Sequence, residues 1–186
     1  MKNLIGNTPL VKISDKIYAK LETYNPSGSI KDRMAYYILT QAIKRGELKK
    51  GDTIVEATSG NTGISMSMLG ASLGYPVIIV MPRNMSKERK CQMRVYGAKI
   101  IEVGDNAFKD AIVLRDKMCA NNPTYFNPRQ FSNKDNIYCH YYTTGQEIIK
   151  QTKDISAFIA GSGTGGTLMG VSAAFKKTMN YHHTKI

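Results

Sequence analysis

Lys31 stands where a polar loop runs into a helix. The stretch NPSGSIKDRMAYYIL, residues 25–39, offers Ser29 as N-cap and Asp32 three residues later, a variant of the capping box. Lys31 then falls in the first helical turn, where free N–H groups and the helix dipole oppose an ammonium by about 0.3–1 kcal/mol. Such a lysine more readily offers the neutral amine that attacks a carbonyl carbon. On this turn alone, an ordinary lysine whose charge reaches into water stays an alternative.

A second turn carries small hydroxyl and amide side chains between a strand and a helix. It lies within EATSGNTGIS, residues 56–65, and its polar or small residues are Thr58, Ser59, Gly60, Asn61 and Thr62. Backbone N–H donors at a helix start, together with hydroxyls, can bind an anion such as a carboxylate. The same residue types are also ordinary helix caps, so capping remains open for this turn by itself.

A third turn, AGSGTGGTLMG at residues 160–170, is rich in glycine. Gly161, Gly163 and Gly166 match the dinucleotide pattern GxGxxG, but no acidic residue follows Asp154 to hold a ribose. The lysine and hydroxyl pair of a Walker motif is also missing. These facts favour a nest for a single phosphate, built from Gly163, Thr164, Gly165, Gly166 and Thr167.

Together the three turns call for a ligand with a phosphate, a carbonyl group and a neighbouring carboxylate. Pyridoxal 5'-phosphate with an amino-acid substrate meets all three requirements. The sequence therefore predicts a pyridoxal-phosphate site.

The elements that position these turns alternate along the chain. Apolar stretches predict strands at 53–57, 77–81, 99–103 and 157–161. Apolar periodicity predicts helices from the Lys31 turn to about 44, near 61–73, 86–96 and 107–120, then, after a polar loop near 121–136, one to about 150 and one from about 165. Continuously apolar strands separated by helices are typical of a parallel sheet covered on both faces, so the predicted class is α/β. Residues 184–186 look like the start of a further strand after a connection at 180–183, which predicts a truncated chain.

The charge composition of the chain limits the classes of partner that it can bind. The 186 residues include 26 basic and 14 acidic side chains, for a net charge of +12, but the basic residues are dispersed and no aromatic RNA-binding signature accompanies them. Nucleic acid is therefore an unlikely partner.

No apolar run is long enough for a membrane span or signal peptide, which favours the cytoplasm. Three separated cysteines, Cys91, Cys119 and Cys139, predict free thiols, and neither they nor His140, His182 and His183 have the spacing of a metal site.

Blocks of sequence over nearly the whole chain resemble one family. They are IGNTPLV (5–11), NPSGSIKDR, EATSGNTGI, MPRNMSKER (81–89), YGAKII (96–101), QFSN (130–133), HYYTTGQEI (140–148) and GSGTGGT. The chain resembles the cysteine synthases, or O-acetylserine sulfhydrylases, which are fold-type II pyridoxal-phosphate enzymes, and is most similar to their cysteine synthase B branch.

The resemblance implies a role for each predicted site residue. Lys31 would hold the cofactor through a Schiff base, Asn61 would bind the cofactor's 3' oxygen, and Gly163 to Thr167 would bind its phosphate. The substrate carboxylate would be bound by Thr58, Ser59, Gly60 and Thr62, with help from Gln130. In the implied β-replacement, Lys31 removes the Cα proton, acetate leaves O-acetylserine, and sulfide or another thiol donor adds to give cysteine. The loop at 58–62 would close over the bound carboxylate.

The resemblance also implies an organisation. Residues 1–34 and 145–186 would belong to a larger cofactor-binding domain, and residues 35–144 would form a smaller, mobile α/β domain. Members of the family are longer, and a later segment supplies a serine that faces the pyridine nitrogen. Family members are commonly dimers, and the acyltransferase that supplies O-acetylserine, serine acetyltransferase, is a further expected partner.

Three alternatives stay open at this point. Cystathionine β-synthases and serine or threonine dehydratases, which are lyases, share the lysine turn and the phosphate nest. A truncated homologue that binds a partner without catalysis would also fit.

Overall fold

The computed structural model describes residues 2–58, 60–153 and 155–179. The chain folds as two compact units, which are described separately. The sheet unit comprises Leu39–Arg129, and the helical unit comprises Lys2–Ile38 with the described part of Gln130–Ile186. The sheet unit is narrower than the predicted smaller domain at 35–144.

The elements follow in chain order. The strands are β1 Leu10–Ser14, β2 Ile17–Lys20, β3 Thr53–Ala57, β4 Val77–Pro82, β5 Lys99–Val103 and β6 Tyr125–Phe126. The helices are α1 Lys31–Lys44, α2 Asn61–Leu73, α3 Lys87–Val95, α4 Phe108–Asn121, α5 Asp135–Tyr142, α6 Thr144–Gln151 and α7 Gly166–Met179. Short 3-10 helices occupy Lys2–Leu4 and Glu22–Tyr24.

The sheet unit is built on a parallel sheet of order β5-β4-β3-β6. All six residues of β4 are buried, as expected for a central parallel strand covered on both faces. One face packs on α4 through Val55, Val80 and Ala111. The predicted α/β class and the strands at 53–57, 77–81 and 99–103 are confirmed, whereas β6, which pairs with β3, lies in the stretch predicted as a polar loop.

The helical unit combines the antiparallel hairpin of β1 and β2 with a layer of helices. The sequence did not predict this hairpin. Helix α7 packs on α5 and α6, and its buried face includes Val171, Ala174 and Phe175. The ring of Phe175 meets Phe158 edge to face at 5.9 Å between centroids.

Two predicted elements of the helical unit are wrong. The stretch 157–161 is not a strand, since only Ala157 makes an isolated bridge and Ile159 is 91% exposed. The predicted helix to about 150 is two helices that meet at Thr143, whose hydroxyl bonds back to the Cys139 carbonyl at 2.7 Å. The expected strand at 184–186 and the connection at 180–183 lie outside the described residues.

The described helices also bear on membrane insertion. Within residues 2–58, 60–153 and 155–179, none combines the length and the apolar character that crossing a bilayer requires. The three cysteines are free, as predicted.

Candidate functional site

The first turn places Lys31 at the start of α1, as the sequence predicts. Its backbone N–H donates to the hydroxyl of Ser29 at 3.2 Å, so Ser29 acts as the cap. Asp32 departs from the predicted capping box, because its buried carboxylate accepts from the N–H of Ser27 at 2.7 Å and from the Ser27 hydroxyl. In a capping box the carboxylate would accept from the N–H of Ser29. Asp32 instead fixes the loop at Ser27, two residues earlier in the chain. Lys31 is half-buried, and this burial lowers its pKa.

Arg33, two positions after Lys31, lies between two carboxylates. Its side chain is 1% exposed and bonds to Glu22 at 2.7 Å and to Glu147 at 2.5 Å. Glu147 also pairs with Lys20 at 2.8 Å and accepts from the N–H of Asn7. Burial alone would raise the pKa of Glu147, but the bonds from Arg33 and Lys20 outweigh it and lower that pKa to about 2. These contacts fix the start of α1 to the hairpin and to α6.

The glycine-rich turn leads into α7, and its threonines are half-exposed. Thr164 Oγ1 accepts from the N–H of Gly166 at 3.4 Å and from the side-chain amide of Asn136 at 2.8 Å. The same amide donates to the carbonyl of Gln130 at 2.9 Å, and Gln130 is 4% exposed. A Cβ on Gly166 would collide with the Asn136 amide, so only glycine fits there. The structure therefore links two predicted site residues, Gln130 and Thr164, through Asn136.

His140 contacts the same turn from α5. Its Nε2 lies 3.3 Å from Thr167 Oγ1, and its Nδ1 lies 2.9 Å from Thr144 Oγ1. Burial, with smaller effects from the charges of Arg33 and Lys31, lowers the pKa of His140 to about 4. The imidazole is therefore neutral at pH 7.

The turn at 58–62 belongs to the sheet unit. Gly60 is the N-cap of α2, and its N–H donates to Thr58 Oγ1 at 3.2 Å. Asn61 is the first residue of α2 and is exposed, whereas Thr62 is buried. Ser59 lies outside the described residues. Backbone N–H groups at the start of α2, beside the hydroxyls of Thr58 and Thr62, suit an anion-binding turn.

The predicted site residues thus divide between the units. The helical unit contains Lys31, Gln130, Gly163, Thr164, Gly165, Gly166 and Thr167, and the sheet unit contains Thr58, Gly60, Asn61 and Thr62. Asn136 and Arg33 were not singled out by the sequence analysis, and His140 was given no role in the site. The local sequence signal for Arg33 is its place in the KDR run that begins at Lys31. The signal for Asn136 and His140 is their spacing of four residues, which places them on one face of a helix.

Comparisons with known proteins add an independent finding. A model of the family described as Pyridoxal-phosphate dependent enzyme matches residues 1–186. The chain is 44% identical over 184 residues to a cysteine synthase of Staphylococcus aureus, covering 94% of this chain and 59% of that protein. It is 46% identical over 181 residues to cysteine synthase B of Escherichia coli, covering 92% of this chain and 59% of that protein.

A solved structure is similar over the same range. It is a hydrogen sulfide-producing enzyme of Fusobacterium nucleatum, which superposes with a TM-score of 0.92 at 47% identity and covers 96% of this chain and 57% of that one. The chain therefore spans about three fifths of the length of these relatives.

Proposed function

This chain belongs to the pyridoxal-phosphate dependent enzyme family, and we propose that the protein is a cysteine synthase. The reaction is β-replacement on O-acetylserine, in which a sulfur donor takes the place of acetate and cysteine forms. The observation that carries the proposal is the environment of Lys31. Its amine is half-buried with a lowered pKa, in the same unit as a turn of donors at the start of α7.

The residues of the helical unit fit the two ends of pyridoxal 5'-phosphate. At the phosphate end, the hydroxyls of Thr164 and Thr167 and the backbone N–H groups in the first turn of α7 offer a set of donors. At the other end, Lys31 offers an amine that loses its proton more easily than an exposed lysine. We assign Asn61 of the sheet unit to the cofactor's 3' oxygen.

The chemistry divides between the cofactor and the side chains. When bound, the cofactor supplies an electron sink for the negative charge that develops at Cα of the substrate. Lys31 acts as the general base that removes the Cα proton, and burial lowers its pKa, which favours the neutral amine that this role requires. We assign the substrate carboxylate to Thr58, Ser59, Gly60 and Thr62, with Gln130 as a further donor.

The proposal extends to organisation. We infer that residues 35–144 act as the smaller, mobile domain and that residues 1–34 and 145–186 belong to the larger one. A cytoplasmic homodimer and an interaction with serine acetyltransferase belong to the same proposal.

The test is to reduce the purified protein with borohydride in the presence of pyridoxal 5'-phosphate and to map the labelled peptide. We expect the label on Lys31 and a visible absorbance band that Lys31→Ala removes. The matched control is Lys44→Ala, which changes an exposed lysine at the other end of the same helix and keeps both signals. A label on another side chain, or a colourless protein, would reject the proposal and favour a non-catalytic binding homologue.

A second candidate is release of hydrogen sulfide, favoured by the match to the Fusobacterium nucleatum enzyme at 47% identity. Product analysis separates the two activities. Cysteine formed from O-acetylserine and sulfide supports the synthase, whereas sulfide released from cysteine with little synthesis supports the second candidate. Pyruvate as the only product from O-acetylserine would indicate a dehydratase-like elimination, and cystathionine formed from serine and homocysteine would indicate a cystathionine β-synthase.

A further inference from the structure

Helix α5 turns two polar side chains toward the glycine-rich turn. Asn136 and His140 are four residues apart, and so lie on one face of α5. Asn136 contacts the hydroxyl of Thr164 at 2.8 Å, and His140 contacts that of Thr167 at 3.3 Å. Both hydroxyls belong to the turn assigned above to the cofactor phosphate, so the inference rests on the proposed function.

The hydrogen bonds of Asn136 determine what the hydroxyl of Thr164 can do. The Gln130 carbonyl can only accept, so the amide group that contacts it at 2.9 Å must be the NH2. That same NH2 group donates to Thr164 Oγ1, which also accepts from the N–H of Gly166. Both lone pairs of this oxygen are then used. The hydroxyl can take part in a further bond only by donating its proton.

His140 can likewise leave the hydroxyl proton of Thr167 available for the ligand. A neutral imidazole has one donor and one acceptor nitrogen, and burial keeps the pKa of this ring near 4. If Nε2 carries the proton, it donates to Thr167, and Nδ1 accepts from the hydroxyl of Thr144. If Nδ1 carries the proton, Nε2 instead accepts a hydrogen bond from the Thr167 hydroxyl, which then has no proton left to donate elsewhere. A phosphate dianion offers only acceptors, so the first arrangement is the one that suits it.

We propose that Asn136 and His140, the latter as the Nε2–H tautomer, are positioning residues that make Thr164 and Thr167 donate to the phosphate. Neither residue touches the ligand in this arrangement. They act by occupying both lone pairs of the Thr164 hydroxyl and one lone pair of the Thr167 hydroxyl, which leaves each hydroxyl proton for the phosphate.

The tautomer can be read directly from the wild-type protein. Long-range proton–nitrogen NMR correlations distinguish a protonated ring nitrogen from an unprotonated one. The chain has three histidines, and the signals lost in His140→Gln identify this ring. We expect Nε2 to carry the proton at pH 7. Protonation of Nδ1 would overturn the assignment for His140, whatever the protein binds.

Binding tests the consequence. In His140→Gln the amide N–H takes the position of Nε2–H, whereas in His140→Asn the amide reaches only to the position of Nδ1. We expect His140→Asn to weaken pyridoxal 5'-phosphate by about tenfold, the size of one hydrogen bond, and His140→Gln to weaken it by less than about threefold. Pyridoxal, which lacks the phosphate, should bind all three proteins alike. Equal losses in both variants, or an equal loss of pyridoxal, would overturn the proposal.

Asn136 has its own matched pair of variants. Asn136→Asp replaces both amide donors with acceptors, and we expect it to lower the affinity for pyridoxal 5'-phosphate by about tenfold or more. Asn133→Asp adds the same charge at the start of the same helix and keeps an acceptor for the N–H of Asp135. Equal effects of the two changes would show that charge alone is responsible. A wild-type protein that binds no cofactor would refute the proposed function, while the NMR result would still stand.

Discussion

Arg33 is buried between two carboxylates, two positions after the lysine that we assign to the cofactor. Glu22 and Glu147 neutralise its charge, and Lys20 in turn contacts Glu147. Leaving such a charge without its partner is costly, because a buried ion has lost most of its hydration. At the residue scale, this network fixes the first turn of α1 and with it the position of Lys31.

We predict that Glu147→Gln destabilises the protein by about 3 kcal/mol at pH 7. The pKa of Glu147 is about 2 in the folded protein, below its ordinary value of 4.5. A carboxyl group with a lowered pKa stabilises the fold above its unfolded pKa and loses that effect as pH falls through the folded value. The stability difference between wild type and variant should therefore shrink between about pH 4.5 and pH 2, as measured by urea unfolding at several pH values.

The control for this prediction is Glu47→Gln. Glu47 pairs with Arg45, but both side chains are about half exposed, and exposed ion pairs contribute little to the free energy of unfolding. Its effect should stay within about 0.5 kcal/mol at every pH. A difference for Glu147 that did not change with pH would contradict the assigned ion pair.

Lys31 could be found from sequence because its position depends on neighbours along the chain, namely a loop and a cap at Ser29. Asn136 and His140 could not be assigned in this way. Their partners Thr164 and Thr167 are 28 and 27 residues away, so the contacts exist only once α7 has packed on α5.

At the scale of elements, close packing of α7 on α5 aligns these contacts. Gly170 is buried, and a Cβ there would lie 2.5 Å from the Ile137 carbonyl oxygen and 2.7 Å from the His140 Cβ. Real Cβ atoms do not approach so closely, and the backbone of α5 cannot move aside as a flexible side chain could. The small residue is therefore required by the packing of the two helices.

We predict that Gly170→Ala destabilises the protein although alanine is the better helix former. The gain in helix propensity is about 1 kcal/mol, and overpacking costs about 1–3 kcal/mol, so the net effect should be unfavourable. Gly161→Ala is the control, because its Cβ would meet nothing within 4 Å. Thermal unfolding followed by circular dichroism compares the two. A Gly170→Ala protein as stable as the control would show that α5 and α7 pack less closely.

The stretch 157–161 shows where element prediction fails. Its apolar composition indicates a strand, but a strand exists through hydrogen bonds to a neighbour. Within the described residues, β1 pairs with β2 and the other four strands pair among themselves, and none of these six strands forms a ladder with 157–161. Composition reports the preference of a segment and carries no information on whether a partner lies beside it.

At the scale of the whole molecule, the family resemblance found in the sequence is confirmed by the family model and by the cysteine synthase relatives. The predicted α/β class is likewise confirmed. The predicted roles of the site residues and the domain boundaries stay predictions.

We predict that pyridoxal 5'-phosphate stabilises the protein by mass action. At 100 times the dissociation constant the gain is about 2.7 kcal/mol, and each kcal/mol raises the Tm of a chain of this length by about 2–4 °C. Lys31→Ala should lose most of this shift, and Lys44→Ala should retain it. Differential scanning calorimetry measures the shift, and an equal shift in both variants would exclude Lys31 as the anchoring residue.

The sequence by itself determined the loop-to-helix turns, the strands β3, β4 and β5 of the parallel sheet and the family. Each of these depends on residues next to one another in the chain or on blocks in a fixed order. Only the tertiary structure decided that Arg33 meets Glu147 across 114 positions, that α5 supports the glycine-rich turn, and that 157–161 is not a strand. The physical reason is that a buried charge, a side-chain hydrogen bond and a strand each need a partner, and folding alone determines which distant residue supplies it.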